Sequence, residues 1–155
     1  MKTAVAEVAE VAEVDRALIN ALIDDSRLSY RQLAKKTGVS AATVMKHVKG
    51  LEKAGIIKGY TAVIDHEKLG FDIDVIIHIK VSKGKLFEVE RKIATEDSVR
   101  AVYDVTGDYD SVVVARFRNR RLLDSFLKRI QTYDFVERTN TIMVLNTIKD
   151  RQTRL

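Results

Sequence analysis

The stretch "TGDYD", Thr106 to Asp110, puts two carboxylates and a phenol side by side between two β-branched runs. Carboxylates so placed can work as general acid and base, hold a cation, or accept hydrogen bonds from nearby amides. Catalysis would need a nucleophile, a metal site or a phosphate cradle beside them, and the chain offers none. It has no cysteine, its histidines His47, His66 and His78 lack ligand spacing, and "SKGK" at 82–85 is too short for a P-loop. We therefore expect no enzyme, no metal and no cofactor. The plainer use of the stretch is a tight hairpin, in which Gly107 takes positive φ and Asp108 or Asp110 bonds local amides. One turn does not need two acids and a tyrosine, so on these residues alone both a turn and a binding site remain open.

A second chemically capable group is cationic. From Arg27 to Tyr60 eight basic residues stand against one acid, Glu52, so this segment is net +7 while the whole chain is only +5. Phosphate favours such an excess, because each neutralised phosphate releases condensed counterions. At 46 % hydrophobic and 32 % charged, the composition is that of a folded soluble protein. No apolar run approaches the ~18 residues of a membrane span, and "MKTAVAEVAEV" lacks the order of a signal peptide, so a cytoplasmic location is expected. Proline is absent, which leaves the turns to Gly, Asn, Asp and Ser.

The elements that must position these groups follow from periodicity and caps. Residues 1–13 are expected to be a tail or helix extension, and residues 4–14 read "AVAEVAEVAEV", with three Ala-Glu-Val triplets. Three short helices are predicted over 14–59. Asp15 is the candidate N-cap of the first, whose apolar face is Leu18, Ile19, Leu22 and Ile23. Ser29 and Gln32 have the capping-box form for the second, Leu33 and Ala34 supply its buried face, and Gly38 stops it. Ser40 opens the third, where Val44, Val48 and Leu51 share one side. This is a helix-turn-helix outline. On the other side of the third helix we place Ala41, Ala42, Thr43, Lys46, His47 and Lys49. The small first-turn residues Ser40 and Ala41 let the positive helix end approach phosphate. Thr43, Lys46 and His47 are assigned to base edges, and Arg31, Lys35 and Lys49 to the phosphate backbone of duplex DNA.

From Tyr60 the pattern changes. "YTAVID" reads as a strand, and 60–72 as a whole reads as a linker strand and hinge. Residues 73–149 then give strand 75–81, helix 86–94 and strand 99–105, followed by strand 111–117, helix 121–130 and strand 136–145. Two such units make a ferredoxin-like βαββαβ sandwich, so the fold class is α+β, with 150–155 as a C-terminal tail. Both helices cover one face of the sheet. Alternation sends Val75, Ile77, Ile79 and Val81 to one side and Ile76, His78 and Lys80 to the other, and we expect a second copy to cover the open face. Tyr103 is assigned to the core.

Over residues 14–149 the chain resembles the Lrp/AsnC (feast/famine) family of prokaryotic transcription regulators. The likeness is carried by "GVSAATVMKHVKGLEKAGIIKGYTAVID", by "TGDYD" and by "VERTNT". It implies an amino-acid effector held at contacts between dimers by Gly107, Asp108, Tyr109 and Asp110, with hydroxyls from Thr139 and Thr141. It also implies a homodimer that assembles to a tetramer or octamer. The family usually carries arginine near positions 46 and 47, where this chain has Lys46 and His47, and often a proline where "TEDSV" stands. The histidine adds a possible pH dependence, since imidazole charges between pH 5 and 8. Two other readings are an amino-acid sensor acting on a protein partner and a regulator of the same fold without an effector.

Overall fold

The structure, a computed structural model, describes residues 12–82 and 84–155. The first two Ala-Glu-Val triplets lie outside those residues, and the third, Ala12 to Val14, supplies the N-cap and the first two residues of the first helix. Contacts divide the chain into two compact units, one formed up to Val63 together with Asp150–Leu155, the other by Ile64–Lys149.

The first unit is built from α1 (Glu13–Asp24), α2 (Tyr30–Thr37) and α3 (Ala41–Lys53). Each boundary has a local cause. Ser29 Oγ accepts from the Gln32 amide at 3.3 Å while Gln32 Oε1 accepts from the Ser29 amide at 2.8 Å, closing the capping box. Gly38, at φ 73°, ends α2 in the left-handed region. Ser40 Oγ caps α3 by accepting from the Thr43 amide at 3.1 Å. At the far end Gly55 turns left-handed, and the Ile56 and Gly55 amides reach the Leu51 and Glu52 carbonyls, a Schellman closure. Asp15 does not take the predicted capping place. The helix begins at Glu13, after Ala12, because Val14 already packs on the core, which leaves Asp15 in the first turn. Leu18, Leu33, Val44 and Val48 form that core, all within 1 % of full burial.

Residues 150–155, read from sequence as a separate tail, pack on α1. The Asn20 side-chain amide donates to the Leu155 carbonyl at 2.9 Å and accepts from the Leu155 amide at 3.0 Å, and Arg154 pairs with Asp24 at 3.1 Å.

The predicted strand at "YTAVID" is not formed. A strand exists only in a ladder, and residues 60–65 find no backbone partner among the described residues. Val63 is 98 % exposed.

The second unit opens with a 3-10 turn at Glu67–Leu69 and continues as β1 (Ile73–Val81), α4 (Leu86–Ile93), β2 (Val99–Asp104), β3 (Ser111–Phe117), α5 (Arg120–Gln131) and β4 (Val136–Met143). The antiparallel sheet has the order β2-β3-β1-β4, the ferredoxin-like arrangement expected of two βαβ halves. Strict alternation on β1 buries Ile73, Val75, Ile77, Ile79 and Val81. They pack with Val89 and Ile93 of α4 and Leu123, Phe126 and Ile130 of α5. Ile76 lies opposite Val114 and Ile142, and His78 opposite Val112 and Asn140, on the face the helices leave open. Tyr103, opposite Val112, is on that face too and is half exposed, so it is not a core residue.

Candidate DNA-binding surface and effector loop

The burial pattern of α3 turns Val44, Val48 and Leu51 inward and Ala42, Met45, Lys46, Lys49 and Gly50 outward. Arg31 and Lys35 of α2 and Ser40 at the α3 cap are also exposed, so with Lys46 and Lys49 five of the eight expected contact residues are at accessible positions. Ala41 and Thr43 are half-buried, and Thr43 Oγ1 lies 2.9 Å from Ser40 Oγ within the cap. His47 differs most from expectation. Its Nδ1 sits 2.7 Å from Asp15 Oδ1 of α1, which leaves Nε2 as the ring nitrogen available to a base edge. The outward projection predicted for His47 is therefore only partial, because its helical angle falls between the core stripe and the solvent stripe. Met45, 41 % exposed, was not singled out from sequence; an apolar residue out of phase with Val44 and Val48 is its only signal. Glu52, the one acid of the basic segment, accepts from the Tyr60 hydroxyl at 2.9 Å. Burial and that bond push the Tyr60 phenol up to about 12, so it stays a neutral donor at physiological pH.

In the sheet unit, Gly107 adopts φ 118° at the tip of the β2–β3 hairpin, as a turn there requires. Asp110 is a clasp: its Oδ2 accepts from the Val81 amide at 2.9 Å and its Oδ1 from Lys80 Nζ at 3.1 Å. Its backbone closes the turn as well, the Val105 amide donating to the Asp110 carbonyl and the Asp110 amide to the Ile79 carbonyl. The Val81 amide, and secondarily Lys80, lower the Asp110 carboxyl below its ordinary 3.8. A carboxylate so engaged does not offer itself to a ligand ammonium; exposed Asp108 does.

The depressed value gives a sign. The stabilisation from Asp110 is complete above the ordinary carboxylate value and is lost as pH falls through the folded one. We expect the Val81 amide resonance to titrate with a midpoint below 3.8 and to be flat over that range in Asp110→Asn. A midpoint above that value would remove the clasp.

Tyr109 lies over the open face, its ring 5.3 Å from that of His78 and 4.8 Å from the Arg138 guanidinium. Arg138 is opposite Lys80 in the ladder, so three cationic or imidazole side chains gather beside the loop. Sequence reading did not assign them; that His78 and Lys80 share a face is visible in β1 alternation, but their meeting with Arg138 depends on the β1–β4 register. Thr139 and Thr141 are not brought to the loop. They lie opposite Ile79 and Ile77, on the helix-covered side, and Thr139 Oγ1 accepts from Gln131 of α5 at 3.2 Å.

No group of three or more possible metal-ligating side chains occurs among the described residues, and none of the helices there is long and apolar enough to cross a membrane. The Lrp/AsnC ligand binding domain family matches residues 74–154, and the winged helix-turn-helix DNA-binding family matches residues 12–58. An uncharacterized HTH-type transcriptional regulator of Pyrococcus furiosus is 44 % identical over 141 residues, 91 % of this chain and 95 % of its own. Among solved structures, AsnC of E. coli superposes with a TM-score of 0.86 at 29 % identity, covering 94 % of this chain and 99 % of that one. The leucine response regulatory protein LrpA of Mycobacterium tuberculosis does so at 0.81 and 29 %, covering 93 % and 99 %. The relatives are regulators rather than enzymes, and this chain, a helix-turn-helix joined to a ligand-binding sheet, belongs to the Lrp/AsnC family of transcriptional regulators.

Proposed function

We propose that two copies pack their open sheet faces together, present paired α3 helices to successive major grooves of a pseudo-palindromic site, and answer to an amino acid held at the 107–110 loop. The observation that carries the DNA reading is the outward face of α3, where Ala42 lets the backbone approach and Lys46 and Lys49 stand exposed on a doubly capped helix. Lys46 and Thr43 read bases, His47 through Nε2, while Arg31, Lys35 and Lys49 hold phosphates and Ser40 and Ala41 set the approach of the helix end. Lys49→Ala should weaken binding to all duplexes alike and reduce the salt slope by about one unit. Filter binding at several salt concentrations tests this; a loss confined to one base position would overturn the assignment.

For the effector, Arg138 and the loop amides at Gly107 and Tyr109 take the carboxylate, Asp108 the ammonium, and the Tyr109 ring the side chain. The leucine response named for the M. tuberculosis relative supports an amino acid of that general kind. A ligand can shift DNA binding only by its differential affinity for two assembly states, so higher assemblies of dimers are part of this reading. Thermal stability and oligomer size followed during titration with each amino acid should respond to at least one of them, and Asp108→Ala should abolish that response. Silence across the whole set would leave a regulator without an effector.

A further inference from the structure

We propose a second small-molecule site in the sheet unit, a cavity that takes an α-amino acid with an aromatic or branched apolar side chain. The cavity, about 370 Å³, opens between α5 and the turn that precedes β2. That volume lies within the ~300–1,000 Å³ range of small-ligand pockets. It is separate from the 107–110 loop: the loop leads into Ser111 at one end of β3, the cavity touches Phe117 and Arg118 at the other, and six residues of strand span roughly 20 Å.

Its lining is amphiphilic. Phe117 and Phe126, 3 % and 1 % exposed with ring centroids 5.3 Å apart, give a buried aromatic floor, and Phe71 and Leu122 are further apolar lining. The charges around the cavity divide into those in ion pairs and those outside them. Arg129 is paired with Glu96 at 2.6 Å, and Arg116 holds Asp74. That leaves one cation and one acid. Arg118 has no acid within ion-pair distance, and Asp97 has neither a hydrogen bond nor an ion pair among the described residues. A cation and a carboxylate left over beside an aromatic floor complement a zwitterion with an apolar side chain, its carboxylate on Arg118 and its ammonium on Asp97.

Occupancy would have a mechanical consequence. Arg118 Nη1 donates to the Leu69 carbonyl at 2.8 Å, and its guanidinium carbon stands 4.3 Å over the Phe71 ring, so it holds the 66–71 turn that begins the sheet unit. A ligand carboxylate competes with the Leu69 carbonyl for the same guanidinium. Binding is therefore coupled to protection of the Gly70 and Phe71 amides, which close that turn on Glu67 and His66.

The test is isothermal titration of the full chain with L-phenylalanine and L-leucine, beside 3-phenylpropionate, which lacks the ammonium, and with hydrogen exchange at Gly70 and Phe71. Saturable binding of at least one amino acid, weakened about tenfold or more by Arg118→Gln, blocked by Ser125→Phe and retained in Tyr109→Ala, supports the site. Ser125 is an exposed lining residue, so the bulkier side chain fills the cavity without entering the core. Exchange at the two turn amides should change on binding, and 3-phenylpropionate should bind more weakly than L-phenylalanine. The site is overturned if neither amino acid saturates at millimolar concentration, if Arg118→Gln and Ser125→Phe leave binding unchanged, or if Tyr109→Ala alone removes it. The last result would assign all binding to the hairpin loop and leave the proposed function standing.

Discussion

Leu18→Ala should unfold the helical unit while the sheet unit stays folded. Leu18 is fully buried among Leu33, Val44 and Val48. Truncating such a residue costs about 2–5 kcal/mol, the lost transfer energy plus the cavity left behind. A unit of roughly sixty residues, at about 0.05–0.15 kcal/mol per residue, holds only a few kcal/mol in all. No neighbouring large side chain can refill the space, because the small core has few members. Hydrogen exchange should show α1–α3 amides losing protection while β1 and β3 keep theirs, and duplex binding should disappear. Uniform loss in both units would show that they unfold as one and would contradict the division drawn here.

The second large effect concerns the open sheet face. Ile142 is 46 % exposed in the single chain, so Ile142→Glu removes little burial from it. In a face-to-face dimer the same position would be covered by the other copy, whose open face carries Ile76, Val112 and Val114, and an unpaired carboxylate there would be costly. We expect sedimentation to shift from dimer to single chains. DNA affinity should then fall by about 10²–10⁴, the advantage that linking two recognition helices confers. A variant that remained dimeric with unaltered affinity would rule out this face as the contact.

What could be read from residue types alone divides by distance along the chain. Alternation over Val75–Val81 and the capping signals at Ser29, Gly38 and Ser40 act within a few residues, and each appears where local chemistry puts it. The hairpin glycine, Gly107, is of the same kind. The Asp15–His47 bond joins positions 32 apart and depends on how α1 crosses α3, which no local pattern encodes. Thr139 and Thr141 share a face as alternation requires, but which face they share is set by the β1–β4 register, and that register turns them toward α5. "YTAVID" has strand residues without a strand, because propensity cannot supply the ladder partner. The 370 Å³ cavity is likewise silent in sequence, since its lining comes from the 66–71 turn, the 96–98 turn, β3 and α5.

The pairing of Asn20 with Leu155 has a bearing on how the molecule is made. Translation delivers α1 well before the backbone segment that pairs with it, because the 86 residues from Ile64 to Lys149 come between them. At about 5–20 residues per second, the first helix leaves the ribosome several seconds before Asp24 can meet Arg154. Residues joined after Leu155 would accordingly emerge beside α1.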